Sequence, residues 1–537
     1  MAMAIGDLNH GLDKQLDSSL PLPQELLHLV NRTTFGPTQA ELARASAIGF
    51  EGWVTEQINY QSLDDSAVED AIRGALPTVA WTNQQLIADS RLDGRQFTAL
   101  AELRAANYLR QIFSPRQLFE VMVDFWTNHF NIEQVDGPLR QFKTVDDREV
   151  IRRHALGRFV DLLKASARSP AMLYYLDNYA NVTTGPNENY ARELMELHTL
   201  GVDGGYTEDD VKAVARLLTG WTFSFGNVTE ITFLFRSLNH DFGAKRALGQ
   251  DYPAGVGEAE GDLLLERLAA HPSTAVFISR KLARRFVSDN PPQALVDRLA
   301  QTFLATQGDI KSVLRDLLLS AEFRAAADNK LKRPNEYIAG VVRVLGARLG
   351  NQFYRVLTEQ LTELNHVPYN WPAPNGYPDV QGYWTNTSSV LSRWNFAFEV
   401  IEGRLAGACS LRHISNIVEL EADHEFHSTR FSEVFRGSTR CDGDAAPRVW
   451  RQQGWSPRCA GGDFPARWHG RSQRRGAVCR CRLLPAPAHT RIAASRTGQH
   501  GGSRSRRVLR VASGNGAVVA GVPGRKTGDR ACHRLQT

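Results

Sequence analysis

Cysteine is missing from the first 404 residues of this 537-residue chain; all six (Cys409, Cys441, Cys459, Cys479, Cys481 and Cys532) follow Arg404. The larger part therefore holds neither disulfides nor thiol chemistry, and its redox compartment leaves no trace there. No run of about 18 apolar residues occurs, so no transmembrane helix is expected. The start, MAMAIGDLNHGLDKQLDSS, lacks a basic stretch followed by an apolar one, so no signal peptide is expected and localisation stays open. Also missing are H-E-x-x-H, G-x-S-x-G, G-x-G-x-x-G and the phosphate-cradling G-x-x-x-x-G-K-[ST]. Those absences remove the usual signatures of a zinc protease, a serine hydrolase elbow and a nucleotide site. No internal repeat is found.

Lysine in turn almost vanishes after Arg404, where only Lys526 remains. Leu405 to Thr537 carries 23 Lys+Arg against 9 Asp+Glu, so the overall +5 hides a body of net charge −9. A body of that sign gives no reason to expect nucleic acid. The chain divides into a flexible start (1–20), a helical domain (21–404) and a basic tail (405–537) rich in Arg, Gly, Ser and Cys. Translation in a shifted frame of a GC-rich gene is the favoured reading of the tail, as disordered or non-native text. A basic interaction arm and a cysteine metal module are the alternatives, the latter reaching no nearer than Cys479-Arg480-Cys481.

What is present is helical periodicity. Leu100, Leu103, Ala106 and Leu109 line one side of a helix over 96–112, and Leu118, Val121, Met122, Phe125 and Trp126 line the next. A further helix is expected over 146–166, and Thr207 with Asp210 reads as a capping box. Other helices are expected over 261–270, 273–287, 292–305, 310–319 and 335–349. Thr222 to Phe235 alternates like a hairpin turning at Gly226-Asn227. The expected fold is mainly α, a large multi-helix domain with one small β-hairpin.

The densest polar cluster is NENYARELMELHTLGVDGGYT, Asn187–Thr207. Asn187 is placed to cap a helix from about Glu188 to Leu200 that Gly201 stops. At 3.6 residues per turn Asn189, Glu193 and Glu196 share a face, while His198 is turned away. A second cluster, FEVMVDFWTNHF, puts Glu120, Asp124 and Asn128 on one face with His129 following. Asp177-Asn178 and His240-Asp241 complete the set. Carboxylates on two helices with an imidazole suggest a divalent-metal or acid–base site of Glu193, Glu196, His129 and Asp124. The competing reading is a buried polar network without chemistry. In it Arg192 pairs with Glu188 or Glu196, and Asn128, Asp177, Asn178, Asn187, Asn189, His198, His240 and Asp241 tie helix ends. The Glu-x-x-His spacing of paired metal sites is in neither cluster; it falls in the body at Glu363–His366, before a Pro-rich stretch. The basic run Arg280, Lys281, Arg284, Arg285 reads as a solvated helix face in preference to a polyanion site.

Several ordered blocks, NRTTFGPT (Asn31–Thr38), WTNHF (Trp126–Phe130), RSPAMLYYLDN (Arg168–Asn178), NENYARELMELHTLGVDGGYTEDDV (Asn187–Val211), ARLLTGWTF (Ala215–Phe223), NHDFGAKRALG (Asn239–Gly249), HPSTAVFISRKLARRFV (His271–Val287) and NWPAPNGYPDVQGYWTNTSSVLSRWNF (Asn370–Phe396), resemble the domain of unknown function 1800 family of bacteria. The family has no established activity. The resemblance implies an envelope or extracellular role, since many members bear export signals. It also implies a partner similar to secreted phosphatase- or sulfatase-type proteins, whose genes often stand beside the family's own. Two departures stand out. Thr127 occupies a position where many relatives carry His, and the family's closing helices are not visible after Arg404. The functions left open are a structural or accessory envelope protein, a hydrolase or oxidoreductase with a carboxylate/His site, and a polyanion-binding tail.

Overall fold

Helices carry the domain because its apolar residues recur at spacings of three and four, and burying those stripes against one another is the main source of helix stability in a protein. The computed structural model describes residues 23–133, 137–226, 229–346, 348–350, 353–401 and 409–410. The 1–20 start and, except for Cys409-Ser410, the 405–537 tail lie outside them, as does the boundary at Arg404.

One continuous apolar core runs from Leu26 to Val400 and contains Trp53, Trp126 and Trp221. Leu100–Leu109 falls on the helix Thr98–Phe113, and the next stripe on Gln117–His129. Thr207 caps Glu208–Leu217 with Asp210 reciprocating, a capping box as expected. The 261–270, 273–287, 292–305 and 310–319 segments become Glu258–Ala269, Pro272–Phe286, Gln293–Ala305 and Ile310–Leu319.

Three expectations shift. The 146–166 segment is broken: a π turn spans Asp147–Arg152 and a new helix begins at Phe159. The break pairs with a distant loop, Phe159 N–H donating to the Gly308 carbonyl (2.8 Å) and Ile310 N–H to that of Gly157 (3.1 Å). The 335–349 helix stops at Val344, because Gly346 takes φ +57° and Arg348–Leu349 pairs with Cys409–Ser410. The third shift concerns the sheets. The expected hairpin is β1 (Trp221–Phe223) with β2 (Phe233–Phe235), Thr222 opposite Leu234. A second hairpin joins β3 (Lys245–Ala247) to β4 (Gln250–Tyr252). Its turn is Leu248-Gly249, both with positive φ, the backbone of a tight two-residue hairpin, but without the Asn or Asp that would announce it.

A cation-rich cleft beside His129

The WTNHF block ends the Gln117–His129 helix, and each polar side chain there reaches a different part of the chain. Trp126 donates Nε1–H to the Ala155 carbonyl (2.9 Å). Asn128 forms a two-bond clamp on Tyr377: its Nδ2 donates to the Tyr377 carbonyl (2.9 Å) and its Oδ1 accepts the Tyr377 N–H (2.7 Å). Asn131 donates to the carbonyls of Trp371 (2.9 Å) and Ala373 (2.8 Å). The Asn370–Asp379 loop is thereby stitched to the helix end. Gly376 permits this approach: its φ is +72°, and a Cβ there would lie 2.1 Å from the Asn128 carbonyl oxygen.

His129 is buried, and its two nitrogens have distinct roles. Nε2 lies 3.1 Å from the His198 carbonyl, which can only accept, so Nε2 carries the proton. Nδ1 is then a lone pair, and Lys281 donates Nζ–H to it at 2.8 Å. Burial first, then Lys281 and His198, holds His129 well below its ordinary pKa, so the ring is neutral. Burial also lowers Lys281, with Arg284 adding, to about 8.

His198 reaches this place through a backbone irregularity. Asn187 accepts the Asn189 N–H at 2.9 Å, and the expected helix begins at Asn189, but from Leu194 to Thr199 it is a π turn. Leu200 N–H reaches back five residues to the Met195 carbonyl (2.8 Å), and Gly201 at φ +82° ends the segment. A Cβ on Gly201 would lie 2.9 Å from the Phe277 ring, so this stop also lets the Pro272–Phe286 helix approach. The turn is wider than expected, yet His198 is turned from the half-buried Glu193 and Glu196 as expected. His198 is fully buried, its ring centroid 6.0 Å from that of His129, and burial pushes it down to about 3.

The four candidate catalytic residues separate. Asp124 pairs with Arg333, and Glu120, its neighbour on the helix, takes a bidentate pair from Arg152 (2.9 and 2.5 Å). Glu193 and Glu196 are half-buried beside each other. Burial, then Glu196, raises Glu193, while Glu196 adjoins Tyr206. Among the described residues no three His, Cys, Asp or Glu side chains gather as a metal would require, which corrects the expected convergence of Glu193, Glu196 and His129.

The network residues fall into several groups. Asn178, buried, donates to the carbonyls of Leu218 (3.3 Å) and Trp221 (3.1 Å) and accepts from Asn181 (3.0 Å), whose Oδ1 accepts the Asn187 N–H (2.9 Å). Asp177 is exposed with φ +61°. Arg192 pairs with Glu208 (2.7 Å) and with Glu188 (3.4 Å). His240 Nε2 and Lys245 Nζ both lie 2.6 Å from Oε1 of the buried Glu260, and Asp241 accepts from Arg216 Nε at 2.7 Å.

Sequence reasoning missed the segment Lys330–Glu336. Glu336, fully buried, binds Arg285 (2.9 Å) and Arg333 (2.5 Å), and these cations with Arg32 hold its carboxyl well below the usual range despite burial. Lys330 pairs with Asp289 (2.6 Å) and Asp379 (3.0 Å). Pro334 and Glu336 in the first turn of the Pro334–Val344 helix were the available signal. The solvated-face reading of the 280–285 run is corrected too. Arg285 is buried on Glu336 and Lys281 turns to His129, while Arg280 alone makes an exposed contact, with Gln293.

Lys281, Arg284, Arg285 and Arg333 thus line a cleft of about 300 Å³ with His129 in its wall. Such a site can bind and orient a negative group, and it places a neutral imidazole behind an amine. No curated protein and no solved structure matches this chain. A family model described as "Protein of unknown function (DUF1800)" matches residues 28–474, running on past Arg404. On that match over most of its length, the chain belongs to this uncharacterised family.

Proposed function

We propose that the chain is a structural or accessory protein, its polar centre serving as architecture. The observation that supports this is the commitment of the candidate side chains to other parts of the chain. Asp124 goes to Arg333, Asn128 to Tyr377, His129 to the His198 carbonyl, Asn178 to β1 and Asp241 to Arg216. A buried polar lattice of this kind selects one arrangement of helices. Placement in the bacterial envelope, beside a phosphatase- or sulfatase-like secreted partner, is proposed on the family resemblance alone.

A second reading, a hydrolase or oxidoreductase, draws on one feature. Glu193 and Glu196 are adjacent, and burial raises Glu193, as in carboxyl pairs that divide acid and base roles. Metal analysis of the purified full chain separates the two. The accessory reading expects less than stoichiometric metal and a fold retained in Glu193→Ala and Glu196→Ala. One tightly held metal per chain, lost in those variants while the circular dichroism is unchanged, would overturn it in favour of the enzyme.

A further inference from the structure

The charges lining the His129 cleft do not balance. Arg285 and Arg333 are answered by Glu336 and Asp124, and Asp379, the one carboxylate in the lining, is answered by Lys330. Lys330 is itself shared with Asp289, so five cations in and behind the wall face four carboxylates, an excess of one, and two of the cations lack a direct ion pair. Lys281 donates to the neutral His129, and Arg284 donates Nε–H to the Asp289 carbonyl (3.1 Å). Neither forms an ion pair among the described residues, although the charge of Asp379 partly offsets the lowering of Lys281. Enclosed positive charge without a counter-charge is costly, and an anion in the cleft relieves it. Lys281's lowered pKa, to which Arg284 contributes after burial, reflects the same imbalance.

The geometry leaves these groups available to a ligand. An ammonium has three N–H donors, and His129 takes one of Lys281's. A guanidinium has five, and Arg284's carbonyl contact uses one, leaving its two NH2 ends. Phe125, Leu197 and Phe277 supply apolar wall next to the cations. A cleft of about 300 Å³ stands at the small end of ligand sites, enough for an acid group on a modest body.

We propose that the cleft is a binding site for a small organic oxyanion, gripped by Lys281 and Arg284 with His129 fixing the lysine. His129 is a positioning residue: its Nε2–H is held by the His198 carbonyl, so its lone pair stays aimed at the amine. Phosphate and sulfate monoesters and carboxylic acids share this chemistry. The site does not depend on whether Glu193 and Glu196 are catalytic, because neither lines it.

Thermal unfolding of the full chain at pH 7 tests this, with sodium phosphate, sulfate or acetate against sodium chloride at matched ionic strength. A specific oxyanion raises Tm beyond chloride and does so saturably, since a ligand bound only by the folded state stabilises it. Lys281→Met and Arg284→Gln should each abolish that extra rise, while Arg280→Gln, outside the cleft, retains it. A rise with phosphate and sulfate alone assigns a tetrahedral group, and one with acetate alone assigns a carboxylate. Equal shifts in all four salts, or a rise undiminished in Arg284→Gln, would overturn the proposal. Arg284 is part-exposed and bonded only to a carbonyl, so that variant decides the matter even if Lys281→Met fails to fold.

Discussion

Two histidine–lysine pairs in this domain, one fully buried and the other part-buried at its lysine, meet their charge in opposite ways. At His240 and Lys245 one carboxylate oxygen, from Glu260, lies 2.6 Å from both side chains, and Lys245 is further held by the Gly243 carbonyl (3.0 Å). That group is closed: each charge has its counterpart within the fold. At His129 and Lys281 the amine faces a neutral ring and Arg284, with Asp379 answering it only in part and from beyond ion-pair distance, and the cleft stays open to anything negative. The same two residue types thus make a rivet in one place and a receptor in another, according to whether an acid is supplied by the fold.

The largest effect expected from breaking this contrast is at Glu260. Glu260→Ala strands a buried lysine, and loss of one partner of such a pair costs about 3–5 kcal/mol. Denaturant unfolding should show it, and a loss below about 1 kcal/mol would mean the closed group is not closed. Next is Asn128→Ala, which removes both bonds of the clamp on Tyr377 and should cost about 2 kcal/mol. It should also speed proteolysis in the Asn370–Asp379 loop, and unchanged cleavage would show that the clamp does not hold the cleft wall. The smallest change has the opposite sign. Lys281 titrates at about 8 in the fold against 10.5 when unfolded, so its charge opposes folding below pH 8 and ceases to above 10.5. Lys281→Met should therefore stabilise the protein at pH 7 by about 1–2 kcal/mol, allowing for partial solvent access. Wild-type stability should climb relative to the variant between pH 8 and 10.5. Parallel curves from unfolding midpoints at pH 7, 9 and 10 would remove the distinction between the two pairs.

What could be read in advance was whatever depends on near neighbours in sequence. Helix stripes such as Leu100–Leu109 and the Thr207–Asp210 box follow from spacings of three and four, and they sit where expected. The Leu248-Gly249 turn hid because leucine seldom takes positive φ. The site was legible as a set of residue types, but not as a geometry. Glu193 and Glu196 were placed together with reason, yet Asp124 answers to Arg333, 209 positions away, and no periodicity reports such a partner. His198 is turned from Glu193 and Glu196 as the count expects, but no count could report that it packs beside His129 on another helix. Lys281 and Arg285 looked like solvent charges because their counterparts, His129 and Glu336, lie on other helices.

The π turn at Leu194–Thr199 has a consequence for how this stretch tolerates change. Such a turn accommodates one residue more than an α turn, so the depth of His198 depends on how many residues precede it as well as on which they are. Substituting one side chain there changes a contact, whereas deleting a single codon would let the wide turn close to α geometry, keeping later positions in phase but lifting His198 from its present depth. The extra residue is therefore as much a part of the His198 position as the side chains around it.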